Sequence, residues 1–169
     1  PEFGLGSHTF NEVFGATRNA WDPQVSAGGS SGGAAVALAL RMLPVADGSD
    51  FMGSLRNPAA WNHVFGFRPS QGRVPLWPSL DAWLGQLSTE GPMARTVRDL
   101  ARLLATQAGP DARTPLAQTA PLPPIDHLLG ADAGLKALDA LKGLRVGWLG
   151  DLQGHLAMEP GLLAVGEAA

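Results

Sequence analysis

The chain has 169 residues, 45% of them apolar and 16% charged, enough for one domain with a real core. Its net charge of −3 offers no basic surface for nucleic acid and steers no partner strongly. The absence of cysteine excludes disulfides, thiolate metal sites and a cysteine nucleophile, and it fits a cytoplasmic protein.

The 22 glycines and 14 prolines predict many turns, at a level still below that of a disordered chain. Residues 1–33 read as loop with short extended pieces. Residues 34–42 (AAVALALRM) predict a buried helix, apolar nearly all round, capped by the glycine-serine run before it. Residues 43–46 predict a short buried strand, 48–53 a polar turn, 55–61 a short helix and 64–68 a strand. Residues 69–92 read as loop. Residues 96–108 (TVRDLARLLATQA) form the clearest amphipathic helix, stopped by Gly109 and Pro110. A surface linker is expected over 109–134, a buried strand over 144–149 (LRVGWL), and a helix over 157–169 starting around Pro160. The order of elements predicts an α/β fold, a mixed sheet flanked by helices. No apolar run is long enough to span a membrane, no signal peptide is visible, and the first residue is not methionine.

Two segments carry the chemistry. One is Gly28-Gly29-Ser30-Ser31-Gly32-Gly33; the other runs Gly48-Ser49-Asp50-Phe51-Met52-Gly53-Ser54-Leu55-Arg56-Asn57-Pro58. Glycine clusters permit positive φ and close backbone approach. A serine at the start of a helix sits where free N–H groups point outward, and such donors favour an oxyanion. Two serines and a row of amides are the raw parts of an acyl-transfer site, although a serine needs a base to become a nucleophile. Flexible loops of the same composition remain the plain alternative. Residues 28–32 also fit the G-x-S-x-G elbow, but the residues before them make a poor strand, and a phosphate loop fails because Ala34 follows Gly33.

Taken together, the segments resemble the amidase signature family. The resemblance runs through GGSSGGAA, GSD-x-x-GS-x-R-x-PAA, VFGFRPSQGRVP (64–75), GPMARTVRDLARLL (91–104), AGPDARTPL and LKGLRVGWLGDL (141–152), essentially the whole chain. It implies a partial amidase signature fold, with 1–108 as signature core, 109–134 as linker and 135–169 as the start of the next segment. It further implies hydrolysis of a carboxamide C–N bond by a Ser-cisSer-Lys mechanism. Ser54 would be the nucleophile, Ser30 the bridging serine after a cis Gly29–Ser30 peptide, and the N–H groups of Phe51, Met52, Gly53 and Ser54 the oxyanion hole. Gly29, Ser31, Asp50 and Arg56 would support the turn. The family's base is a lysine, neutral through burial, upstream of the glycine-serine run.

Here the pattern breaks. No lysine precedes Ser30, and the only two, Lys136 and Lys142, fall outside the catalytic pattern. The expectation is therefore a piece of a longer enzyme, poorly active alone. Weak esterase activity from Ser54 and the oxyanion hole is one alternative; a non-catalytic piece completed by another chain, self-associating through apolar surface, is the other. A second departure is Met52, where the common turn has glycine. The resemblance also reaches the amide-transferring subunit used in making glutaminyl-tRNA, less favoured because that subunit's turn carries the double glycine.

The histidines, His8, His63, His127 and His155, show no metal-ligand spacing, and no metal or cofactor is expected; only His63 is near Ser54 in sequence. Asn11, Thr17 and Trp21 are candidate pocket residues that loop packing explains equally. The five tryptophans are read as core, with an apolar acyl pocket as the alternative. The expected partner is a small amide or ester, with neither nucleic acid nor membrane.

Overall fold

The computed structural model describes every residue except 82, 84–86, 123, 126–138 and 140. The chain divides into two compact units, 1–134 and 135–169. In the first, a 3-10 turn (Glu2–Gly4) precedes a small hairpin of β1 (Phe10–Asn11) and β2 (Gly15–Ala16). Then come α1 (Gly32–Ala39), β3 (Val45–Asp50), α2 (Arg56–Trp61), β4 (Phe65–Gly66), β5 (Thr89–Ala94) and α3 (Val97–Gln107). Strands β3, β5 and β4 form one sheet in that order, and the described ladders are all antiparallel. Helices pack against this sheet, in keeping with the α/β class. No helix among the described residues is long and apolar enough to cross a membrane.

The core is built from small and medium side chains. Ala35 and Leu38 of α1, Leu55, Ala59 of α2, Val64 and Met93 of β5 form one buried cluster. Their small volumes let two short helices approach the sheet closely, which the alanine-rich sequence of α1 dictates. Helix α1 stops at Ala39, short of the expected Met42. Arg41 takes a positive φ of 60°, and the Arg95 guanidinium bonds the carbonyls of Leu38 (2.8 Å) and Leu43 (2.6 Å). The Leu38 carbonyl is the acceptor that Met42 N would use in a helix reaching the expected end. Nor does the glycine-serine run cap α1 through a side chain: Ser31 is its N-cap residue, but its hydroxyl bonds elsewhere.

Three further expectations need correction. The segment 48–50 is not a turn; β3 continues through it, Gly48, Ser49 and Asp50 pairing with Gly91, Glu90 and Thr89. Strand β5 (TEGPMA) was hidden by its glycine and proline, yet it is the middle strand. Pro92 is tolerated there because a residue's N–H and C=O point to the same neighbour. Its carbonyl accepts from Phe67 N on the β4 side at 3.1 Å, where β4 has already ended. The missing N–H therefore falls outside the β3–β5 ladder.

The start of the predicted linker is anchored: Gly109 N bonds Arg73 O, Gln118 N bonds Gly72 O, and Arg73 bonds Ala120 O. The rest of it lies largely outside the described residues. In the second unit, α4 (Leu162–Ala168) matches the predicted helix. The segment 144–149 is not a buried strand; Leu144, Val146 and Leu149 are exposed. An apolar stretch becomes a strand only beside a neighbour for its N–H and C=O groups, and none pairs with it among the described residues.

Candidate active site

The site is assembled where β3 runs into α2. Asp50, the last residue of β3, is fully buried and gathers the turn that follows around its carboxylate. Its oxygens accept from Gly53 N (2.7 Å), Leu55 N (3.2 Å), Arg56 Nε (2.9 Å) and Arg56 Nη2 (3.0 Å). Arg68, which sequence reasoning missed, places Nε 3.4 Å from the same carboxylate and donates to Asp50 O. Burial alone would push this acid upward. The Arg56 hydrogen bond, then those from the Gly53 and Leu55 N–H groups and the Arg56 charge, outweigh burial and bring its pKa down to about 2. The expected bracing pair, Asp50 and Arg56, is thus a charged knot holding residues 50–56.

Within that turn the backbone solves the Met52 problem. The left-handed conformation falls on Gly53 (φ 117°), and Met52 has no positive φ. A β-carbon at position 53 would start 2.7 Å from Asn57 Nδ2, so only glycine fits there comfortably. The Met52 side chain is largely exposed.

The glycine-serine run is fastened to this turn by Ser31. Its N–H donates to Ser54 O at 3.2 Å, and its hydroxyl donates to Ser49 O at 3.4 Å. The Gly29–Ser30 peptide is cis. Two asparagines hold the other side of the run. Asn62 is fully buried and donates to Ala27 O and Pro58 O at 2.9 Å each, while Asn19 donates to Trp61 O at 2.8 Å. Neither carried a sequence signal, since an asparagine in a loop usually faces water.

Ser30 and Ser54, far apart in sequence, line one cavity of about 290 Å³ together with Phe3, Gly4, Leu5, Ser49, Phe51 and Ser88. The N–H groups of Phe51, Met52 and Ser54 have no acceptor among the described residues. Gly53 departs from expectation: its N–H is engaged by Asp50, so three of the four candidate oxyanion donors remain open. Ser49 stood inside the motif and was legible as a neighbour of the site. The Phe3–Leu5 segment gave no warning.

Other candidates lie elsewhere. His63 and Trp21 meet edge to face at 5.7 Å and line a separate cavity of about 310 Å³ with Trp61. A further cavity of about 460 Å³ is lined by Asn19, Val25, Ser26 and Trp61. Neither Asn11 nor Thr17 lines the serine cavity. The tryptophans do not form the core: Trp21, Trp61, Trp77, Trp83 and Trp148 are all exposed, and none lines the serine cavity. His8 packs its backbone against Gly29 and stacks its ring on Phe10 at 4.0 Å. Among the described residues no group of three acidic or histidine side chains gathers to hold a metal.

Two serines facing one cavity, beside open backbone donors on a rigid turn, have the layout of a serine acyl-transfer site. The chain belongs to the Amidase family, whose profile matches residues 1–167. It is 44% identical over 99% of its length to a glutamyl-tRNA(Gln) amidotransferase subunit of Mycobacterium avium (strain 104), of which it covers 33%. Among solved structures it resembles a bacterial aryl acylamidase of the amidase signature family (44% identity, 72% of this chain and 25% of that one, TM-score 0.68). It also resembles a substrate complex of 6-aminohexanoate cyclic dimer hydrolase (33% identity, 99% and 34%, TM-score 0.78). The chain thus spans about a third of the length of the curated relatives it matches.

Proposed function

We propose that this chain carries the nucleophile and bridging serine of an enzyme that hydrolyses a carboxamide C–N bond. The observation supporting this reading is that Ser30 and Ser54 line the same cavity beside the open N–H groups of Phe51, Met52 and Ser54. In the proposed reaction Ser30 takes the proton from Ser54 Oγ and passes its own to a lysine. The family pattern places that base upstream of the glycine-serine run, where residues 1–29 contain none. Ser54 Oγ attacks the carbonyl carbon, and the oxygen, now negative, is held by the open backbone donors. Ser30 returns a proton to the nitrogen as the C–N bond breaks, giving an amine and an acyl-enzyme. Water then attacks the ester and releases the acid.

Hydrolysis is favoured over delivery of the amide nitrogen to a second substrate, because the turn reads Asp50-Phe51-Met52-Gly53-Ser54 rather than carrying the double glycine. The test is Ser54→Ala in the protein with its whole reading frame, assayed on simple anilides. Removing the nucleophile should lower kcat by roughly a thousand-fold or more, with little change in stability. Anilide hydrolysis that persists in the variant would overturn the assignment. A chromogenic ester run on residues 1–169 alone measures what the turn achieves without the lysine, and any such activity should also vanish with Ser54→Ala.

A further inference from the structure

Away from the serines, a cavity of about 310 Å³ is lined by Trp21, Trp61 and His63. Both indoles are fixed from behind. Trp21 spends its ring N–H on Asn62 O at 2.9 Å, and its backbone N–H donates to Asn19 Oδ1 at 2.8 Å. Asn19 Nδ2 donates in turn to Trp61 O at 2.8 Å. The Trp61 ring lies against Gly28, where a β-carbon would start 3.1 Å from Trp61 Cε3. Both asparagines are buried, so the frame behind the rings is rigid. With its N–H engaged inside the protein, Trp21 offers the cavity its π system.

His63 is the unusual member. It is the left-handed residue that ends α2, with φ 55°, and Val64 N closes the helix end on Ala59 O at 3.0 Å. Glycine or asparagine ordinarily takes that position, because a β-carbon there is strained. A histidine in it costs stability and places a ring at the cavity. The imidazole meets Trp21 at 71°, with centroids 5.7 Å apart. Rings set near a right angle form a corner rather than a slot. A corner suits a compact, rounded group, whereas a flat aromatic ligand needs parallel walls. Among the described residues no Lys, Arg, Asp or Glu lines the cavity, so it offers a ligand no ion pair. The negative faces of aromatic rings attract a cation, best one whose charge is spread over methyl groups.

We propose that the Trp21–Trp61–His63 cavity is a binding site for a quaternary ammonium group, held by cation–π contact. The chain's net charge of −3 favours such a ligand over an anion. The site shares no lining residue with the serine cavity, so it stands apart from the amidase reading.

Tetramethylammonium is the probe, and tert-butanol is its uncharged counterpart of similar shape. Each is titrated, at constant ionic strength, into the protein with its whole reading frame. Magnetic saturation of the protein's aromatic protons should pass to the methyl protons of tetramethylammonium and level off with concentration, whereas tert-butanol should bind about ten-fold more weakly. Trp61→Leu should weaken tetramethylammonium binding about five-fold, and Trp61→Phe, which keeps a ring, much less. His63→Gly is the second variant. Glycine suits the left-handed turn better than histidine, so this protein should be at least as stable in urea, yet bind the cation about three-fold more weakly. A merely structural role for His63 would not separate those two readouts. Equal binding of tetramethylammonium and tert-butanol, or an affinity unchanged in Trp61→Leu and His63→Gly, would overturn the proposal.

Discussion

Asp50 accepts from the backbone N–H groups of Gly53, Leu55 and Arg56 and from the Arg56 guanidinium while excluded from water, so replacing it disturbs the whole turn rather than one contact. Its folded pKa of about 2 lies below the ordinary 3.8. A depressed acid contributes stability that is fully present above its unfolded pKa and is lost as pH falls through the folded one. The window is therefore about pH 4 down to 2. Asp50→Asn keeps the shape but removes the charge, and should cost about 2 kcal/mol at pH 7, a penalty that shrinks toward zero near pH 2. Urea titrations of both proteins at several pH values measure this, and a pH-independent difference would show that the charge is not what holds the turn. The same residue marks how far the site could be read in advance. Ser30, Ser54, Asp50 and Arg56 stood in a motif. That Gly53 gives its N–H to Asp50 rather than to an oxyanion depends on where a carboxylate points, which residue order does not state.

At the scale of the strands, β3 and β5 set Glu90 directly opposite Ser49 and two pairs along from Asp47. Glu90 is half-buried, and burial first, then the Asp47 charge, raises its pKa from 4.5 to about 6. Here the sign is reversed. Below pH 4.5 the residue is neutral in both states. Between 4.5 and about 6 the folded chain keeps a proton that the unfolded chain gives up, so stability falls as pH rises through that interval. Partial exposure discounts the effect to about 1 kcal/mol. Glu90→Gln should therefore gain about 1 kcal/mol relative to the parent at pH 8, with the gain disappearing near pH 4. A gain of equal size at both pH values would trace it to something other than charge. The Asp50 effect is flat across this interval, so the two substitutions are separable in one set of titrations.

The strand that carries Glu90 also shows where sequence patterning fails. Helix α3 was legible because its capping threonine, apolar face and terminal glycine agree: Thr96 Oγ1 accepts from Asp99 N at 3.1 Å, and Leu100 and Ala101 are buried. Strand β5 has no such agreement. Its glycine and proline say loop, and only the ladder with β3, a non-local fact, makes it a strand. The converse holds for 144–149, which has the composition of a strand and no neighbour among the described residues.

For the molecule as a whole, the balance between buried and exposed apolar surface is unusual. In the first unit Val13 and Phe14 at the tip of the β1–β2 hairpin are 77% and 89% exposed, Trp21 and Trp61 are more than half exposed, and Phe65 and Phe67 nearly so. A net charge of −3 supplies little repulsion to keep two such surfaces apart. Burying apolar area is favourable at about 25 cal/mol per Å², so contact between copies is the expected outcome at working concentrations. Light scattering after size exclusion should show an apparent mass above 17.5 kDa that rises with loading concentration. Sulfate, which strengthens apolar burial, should increase it, whereas a screening salt of weak hydration should not disperse it. The tryptophans report the same event locally: if Trp21 and Trp61 enter the contact, their emission shifts to shorter wavelength as the mass rises. A mass that stays at the single-chain value across the whole range, with unshifted emission, would mean that these side chains remain in water and that apolar exposure does not drive association.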